Sequence, residues 1–150
     1  MPRLLIIHHT PSPATHAMFD AVRDGTRADG IEGVEVVARA ALGTTVPDVL
    51  AADGYLLGTP ANLGTMSGAL KHCFDTIYYP CLDATRGRPY GVFVHGNNDV
   101  DGALADIAKI TTGLDWREAQ SPVRVTGAPS SRDIDACWEL GAALAATLMQ

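Results

Sequence analysis

The chain has 150 residues, a formal net charge of −6 and a hydrophobic fraction of 47%. This length fits one domain, residues 1–150, built around a continuous core. The net negative charge and the lack of a basic stripe argue against binding to nucleic acid or to an anionic membrane surface. The first apolar run is too short for a signal-peptide core or a membrane span, and the widely spaced Cys73, Cys81 and Cys137 favour free thiols in a reducing cytoplasm.

Strand and helix patterns alternate along the first half of the chain. Short apolar runs indicate buried strands, and apolar residues at helical spacing indicate helices. In order, they predict a strand over 4–9, a helix over 14–22, a strand over 34–38, a loop over 39–45, a short helix over 46–52, a strand over 55–58 and a loop over 61–65.

The second half continues the alternation. Either Thr65 or Ser67 can cap the helix that begins there, and Ser130 or Ser131 can cap the last one. Pro122 interrupts the fifth strand, which favours a position at the edge of the sheet. The predicted elements are a helix over 66–77, a long connection over 78–89, a strand over 90–96, a helix over 100–111, a strand over 118–125 and a helix over 130–148.

This alternation predicts an α/β fold, in which a parallel sheet is covered by helices on both faces. Ligands of such sheets bind beyond the carboxyl ends of the strands. Three loops at those ends carry distinctive chemistry: Thr10–His16, Pro60–Met66 and His95–Asp99. In the strand order 2-1-3-4-5, the three loops follow neighbouring strands, so we expect them to form one site.

The first of these loops carries three hydroxyl groups where a helix begins, from Thr10, Ser12 and Thr15. A helix N-terminus presents free backbone N–H groups and the positive end of the helix dipole, which together attract an anion. An N-cap with turn residues would explain one or two of the hydroxyls. Three in a single turn favour a phosphate-binding loop.

Two segments resemble the flavodoxin superfamily. The sequence T-P-S-P-A-T at Thr10–Thr15 resembles the flavodoxin phosphate loop, T-x-T-G-x-T. The sequence G-T-P-A-N-L-G-T-M-S-G-A-L-K-H-C-F-D at Gly58–Asp75 is similar to a loop and helix of flavodoxin-like quinone reductases. The resemblance implies a flavodoxin-like three-layer sandwich with a five-stranded sheet, non-covalent FMN, and NAD(P)H-dependent reduction of a quinone or flavin. Such activity is found in NAD(P)H-dependent FMN reductases and in WrbA-type NAD(P)H:quinone oxidoreductases.

The resemblance also implies which residues bind the cofactor, because each loop has its own role in that family. The implied residues are Thr10, Ser12, Pro13, Ala14 and Thr15 at the FMN phosphate, Pro60, Ala61, Asn62, Leu63, Gly64, Thr65 and Met66 along the isoalloxazine ring, and His95, Gly96, Asn97 and Asn98 closing over it. A homodimer is implied as well, since related proteins often complete the pocket with a second chain.

Two departures from the family pattern keep alternatives open. Pro13 stands where the phosphate loop usually has glycine, and proline has no N–H to donate. A flavodoxin-fold binding protein that has lost FMN is therefore one alternative. The second loop also lacks the tryptophan and tyrosine with which electron carriers cover the ring, and this open face favours an enzyme over a single-electron carrier, which remains the other alternative.

Several side chains near the expected pocket have two interpretations each. His95 is the candidate catalytic residue, as a proton donor to a bound quinone, or else a half-buried histidine bonded to the backbone. His8 and His9 point to opposite faces of a strand, which disfavours a shared metal ion, and we predict no metal site. Tyr78 or Tyr79 can form an aromatic wall of the pocket, which the sequence alone does not decide. Arg86 and Arg88 either bind a nucleotide phosphate or lie in a solvated loop.

Overall fold

The computed structural model describes all 150 residues, and its elements follow the predicted alternation. The strands are β1 (Arg3–His8), β2 (Glu35–Ala40), β3 (Gly54–Asn62), β4 (Thr65–Met66), β5 (Pro89–Gly96), β6 (Arg117–Glu118) and β7 (Val123–Thr126). The α-helices are α1 (Pro13–Gly25), α2 (Val46–Ala51), α3 (Gly68–Cys81), α4 (Asp101–Gly113) and α5 (Ser131–Thr147). A single 3₁₀ turn at Ala41–Gly43 connects β2 to α2.

The sheet is parallel in the order β2-β1-β3-β5, and both β6 and β7 pair with β5 at its free edge. Because β6 pairs with the start of β5 and β7 with its end, these two short pieces together form the fifth strand. The predicted order 2-1-3-4-5 is therefore confirmed, with β4 added as a short antiparallel partner of β3. Pro122 lies in the gap between β6 and β7, where proline breaks no ladder hydrogen bond.

Helices cover both faces of the sheet because successive strand residues point in opposite directions. On one face, Leu4 and Ile6 of β1 pack in a cluster with Met18 of α1 and Leu140 of α5. On the other face, their neighbours in β1 belong to a cluster formed mainly with α3 and α4. All three cysteines are free, as predicted, and they are fully buried.

The structure corrects two predicted boundaries. The helix predicted over 66–77 begins at Gly68 and continues through Pro80 to Cys81, so the predicted connection at 78–89 is much shorter. Pro80 lies in the last turn, where its missing N–H removes one hydrogen bond, and the buried Ile77 and Cys81 hold that turn against the core. The loop predicted over 39–45 is instead the end of β2 and the 3₁₀ turn.

None of the helices is both long and apolar enough to cross a membrane.

Candidate functional site

The three distinctive segments lie side by side at the carboxyl edge of the sheet. His8 at the end of β1 pairs in register with Gly58 of β3, and Pro60 further along β3 pairs with His95 of β5. The His9 N–H also donates to the Gly58 carbonyl at 2.9 Å. The predicted strand order therefore brings the segments after β1, within β3 and after β5 to adjacent positions.

The first segment forms the N-terminal cap of α1. Ser12 is the N-cap, and its Oγ accepts the Thr15 N–H at 3.1 Å, while Thr15 Oγ1 accepts the Ser12 N–H at 3.1 Å. The two hydroxyl oxygens lie 2.9 Å apart, and Thr10 Oγ1 lies 2.9 Å from Nδ1 of His8. The hydroxyl groups that the sequence assigned to a phosphate are thus partly engaged with one another and with the helix cap.

The donors of this segment fit an anion, although two prolines reduce their number. Pro11 and Pro13 have no N–H, and the N–H of Ser12 is used within the cap. The Ala14 N–H lies in the first helical turn, which has no intrahelical acceptor, and that turn carries no acidic side chain to repel a phosphate. Compared with a loop that contains glycine, this segment therefore offers an anion fewer backbone N–H donors and relies more on side-chain hydroxyl groups.

The second segment is a β-hairpin, where the sequence predicted a loop over 61–65. Ala61 and Asn62 of β3 pair with Met66 and Thr65 of β4, and Leu63 and Gly64 form the connecting turn. Both turn residues have positive φ, 51° for Leu63 and 78° for Gly64, as a two-residue type I′ turn requires. The Leu63 side chain is fully exposed at the tip.

The hairpin is fixed against the start of α4. A Cβ on Gly102 would overlap the carbonyl oxygen of Gly64, so the turn approaches the helix as closely as glycine allows. Asp106, one helical turn further on, accepts the Met66 N–H at 3.3 Å. Neither Gly102 nor Asp106 was among the residues predicted for the site, because no pattern in the sequence indicates that α4 packs against this loop.

The third segment meets the hairpin at Gly96, whose absent Cβ would lie 3.4 Å from the Ala61 Cβ. His95 is half-buried, and its Nε2 donates to the Gly127 carbonyl at 2.7 Å, which fixes the proton on that nitrogen in the neutral ring. The backbone-bonded interpretation of His95 therefore holds for Nε2, and Nδ1 remains able to accept or carry a proton. Asn97 and Asn98 are exposed.

The tyrosines and arginines considered for the pocket lie elsewhere. Tyr78 and Tyr79 occupy the last turns of α3, which runs away from the carboxyl edge, so neither forms an aromatic wall there. Arg88 donates to four carbonyl groups, those of Val49, Leu50, Ala52 and Ala84, and Arg86 pairs with Asp83 at 2.6 Å. The suggested nucleotide phosphate site at the two arginines is therefore wrong, and Arg88 stabilises the amino-terminal edge of the sheet.

The histidines near the first segment do not converge on one point. The ring of His8 stacks on Phe19 at 3.9 Å between centroids, and burial, with further contributions from Arg23 and the neighbouring histidines, lowers the pKa of His8. His16 points along α1 and lies 3.3 Å from Asp20. No group of three or more histidine, cysteine or carboxylate side chains is arranged to hold a metal ion.

Comparison with known proteins gives a partial sequence match. No protein-family model matches the sequence. A flavodoxin from Aquifex aeolicus is 36% identical over 77 residues, which cover 51% of this chain and 40% of that protein. The match thus spans less than half of the relative's length.

Solved structures match over nearly the whole chain. The flavodoxin, WrbA-like protein from Agrobacterium tumefaciens has a TM-score of 0.76 at 17% identity and covers 98% of this chain and 97% of its own. The two-electron reduced flavodoxin of Megasphaera elsdenii has a TM-score of 0.78 at 21% identity, covering 95% and 98%. The chain therefore has the flavodoxin-like fold, as the resemblance implied.

Proposed function

We propose that the chain is an FMN-binding oxidoreductase that transfers electrons from NAD(P)H to a quinone or a flavin. The observation that carries this proposal is the adjacency of three segments at the carboxyl edge: an anion-compatible helix N-terminus, a protruding hairpin and a strand end with a histidine. The likeness to proteins described as flavodoxin and as WrbA-like supports it further. The quinone acceptor, a homodimer and a cytoplasmic location belong to the same proposal and rest on the sequence resemblance and the free cysteines.

In this proposal the first segment holds the FMN phosphate. Thr10 donates from its hydroxyl group, Ala14 from its backbone N–H, and the positive end of α1 stabilises the dianion. Ser12 and Thr15 keep their capping hydrogen bonds and present their remaining hydroxyl capacity to the phosphate. Pro13 has no N–H to donate, and its ring fixes the backbone φ angle at the start of α1.

The hairpin and the third segment line the ring in this proposal. Backbone groups of Pro60–Met66 run along one edge, while Gly96, Asn97 and Asn98 close the other side. The flavin supplies the capacity to accept a hydride and pass on two electrons. Because no large aromatic side chain lies in either segment, a flat second substrate can stack on the exposed ring face.

His95 is the proposed catalytic residue. Its Nε2 is held by the Gly127 carbonyl, so the ring has a fixed orientation and only Nδ1 can exchange a proton. A quinone that gains two electrons also gains protons, and Nδ1, after taking up a proton from solvent, is suited to pass that proton to the quinone.

FMN titration of the purified protein tests the proposal. We expect saturable quenching of flavin fluorescence, and Thr10→Ala should weaken FMN binding about tenfold, because one hydrogen bond to a charged group is lost. Thr112→Ala, an exposed threonine on α4, is the matched control and should bind FMN like the unmodified protein. If FMN changes neither absorption nor fluorescence, the oxidoreductase proposal is wrong.

A single-electron carrier is the second candidate, favoured by the partial match to a protein named flavodoxin. Reduction of the FMN-loaded protein by NAD(P)H, followed by reoxidation with a quinone, supports the enzyme. A protein that NAD(P)H does not reduce, and that dithionite reduces in two resolved one-electron steps, fits the carrier instead.

A further inference from the structure

The only two lysines of the chain line the same cavity. Lys71 of α3 and Lys109 of α4 face a cavity of about 400 Å³ that lies beside the hairpin, and Asp106 of α4 also lines it. The other nine basic residues are arginines that lie elsewhere. In a chain with a net charge of −6, two ammonium groups around one cavity create a local site for anions.

The residues that line this cavity carry two positive charges, from Lys71 and Lys109, and one negative charge, from Asp106. Lys71 is paired with Asp75 at 2.7 Å, but both side chains are more than half exposed, so water screens this pair strongly. Lys109 takes part in none of the ion pairs of the structure. The Asp106 carboxylate is partly satisfied by the Met66 N–H. Lys109 is therefore available to an incoming anion.

The start of α3 adds to this positive environment. Gly68, the first residue of α3, lines the cavity, and the first turn of the helix contains no acidic residue. The Ser67 side chain caps the helix by accepting the Leu70 N–H at 3.1 Å. The positive end of the α3 dipole thus acts in the same direction as the two lysines.

The cavity adjoins the surface proposed for the flavin ring. Thr65 and Met66 of β4 line the cavity and also belong to the ring-lining segment Pro60–Met66. A ligand whose reactive end stacks on the ring can therefore extend past the hairpin into the cavity. A nicotinamide dinucleotide has this form, with a flat ring at one end and a diphosphate further along.

We propose that this cavity binds the diphosphate part of the NAD(P)H co-substrate, with Lys71 and Lys109 as its phosphate-binding residues. This inference rests on the proposed function and assigns its co-substrate site. Lys109 contributes an unpaired ammonium group, and Lys71 exchanges its solvent-screened pair with Asp75 for the phosphate.

Binding of ADP-ribose to the flavin-free protein, measured by calorimetry, tests this assignment without relying on turnover. We expect Lys71→Gln and Lys109→Gln each to weaken binding about fivefold, as the loss of one partly screened charged contact predicts, and the double variant about twentyfold. Lys109→Arg should retain most of the affinity, and added salt should weaken binding to the unmodified protein.

A charge-matched control separates a local site from the general effect of net charge. Arg27 and Arg86 are exposed at the opposite edge of the sheet, so the Arg27→Gln/Arg86→Gln double variant loses the same charge far from the cavity. We expect it to bind ADP-ribose normally. Equal losses in both double variants, or no loss in the lysine variants, would overturn the assignment.

Two further measurements identify the ligand and separate the two proposals. If inorganic phosphate binds as tightly as ADP-ribose, the cavity is a simple anion site and the dinucleotide assignment is wrong. A protein that binds FMN but shows no lysine-dependent binding of ADP-ribose also contradicts the cavity assignment, while leaving the proposed function intact. A protein that ignores FMN yet binds ADP-ribose through the lysines contradicts the proposed function alone.

Discussion

Leu63 is a strained residue at an exposed position. Its φ of 51° is one that side chains other than glycine, asparagine and aspartate rarely adopt, and its side chain is fully exposed, so no packing offsets the strain. We expect Leu63→Gly to raise the free energy of unfolding by about 1 kcal/mol, measured by urea denaturation.

The control for this prediction is a variant that keeps the backbone strain and removes only the side-chain atoms beyond Cβ. Leu63→Ala retains a Cβ at positive φ, so its stability should match that of the unmodified protein. If Leu63→Gly is no more stable than Leu63→Ala, the turn is not strained as described. Strained residues that lower stability are often kept because they are needed for function, and Leu63 lies beside the proposed ring surface. FMN titration of Leu63→Gly tests whether Leu63 contributes to FMN binding.

The residues of the first segment show how far sequence reasoning reaches at this scale. Three hydroxyl groups at the start of α1 were visible in the sequence, and so was the lack of a donor at Pro13. The sequence left an N-cap open as an alternative but did not decide between it and a phosphate site, because serine and threonine satisfy helix caps and bind phosphate through the same atoms. Only the hydrogen bonds in the folded structure separate the two uses.

At the scale of elements, the contact between the hairpin and α4 determines the shape of the site. Gly102→Ala places a Cβ against the Gly64 carbonyl, a backbone atom that cannot turn aside as a side chain can. We expect this change to lower the free energy of unfolding by about 2 kcal/mol and to speed amide hydrogen exchange in residues 61–66.

A second helical glycine provides the matched control. Gly68 is the first residue of α3, and a Cβ there would meet nothing within 4 Å. Gly68→Ala should therefore be neutral or stabilise the protein by up to about 1 kcal/mol through helix propensity. Equal destabilisation by the two changes would show that the hairpin does not press on α4.

The hairpin was not predicted because its sequence lacks the usual signals. Type I′ turns favour asparagine or glycine at both central positions, whereas this turn has Leu63 followed by Gly64. The glycine alone was compatible with a loop. By contrast, Pro122 correctly indicated an interrupted edge strand, because proline's missing N–H is a property of the residue itself. Contacts that arise only from packing, such as Gly102 against Gly64, leave no such local mark.

The molecule as a whole follows from the alternation of apolar runs and helical patterns. That alternation predicts the parallel sheet, and the order of the strands then places three segments at one edge. The cavity between Lys71 and Lys109 could not be predicted in the same way, because it depends on how α3 and α4 pack side by side. Both lysines are unremarkable in the sequence, and their shared position becomes visible only in the folded chain.

The buried thiols couple the stability of the whole molecule to alkaline pH. Burial raises the pKa of Cys73 and of Cys137 from 9.0 to about 12, while in the unfolded chain each thiol ionises near pH 9. Both side chains are inaccessible to solvent in the folded protein. Above pH 9 the unfolded state binds fewer protons than the folded state, so stability must fall as the pH rises.

We therefore expect the free energy of unfolding to decrease between pH 9 and about pH 11, with each thiol contributing at most about 1.4 kcal/mol per pH unit. Urea denaturation at several pH values measures this slope. Cys137→Ala removes one of the three buried thiols whose pKa is raised and should flatten the slope by the contribution of that thiol, even though the smaller side chain lowers stability at every pH. If the slope of Cys137→Ala equals that of the unmodified protein, the Cys137 thiol is not responsible for the alkaline loss of stability.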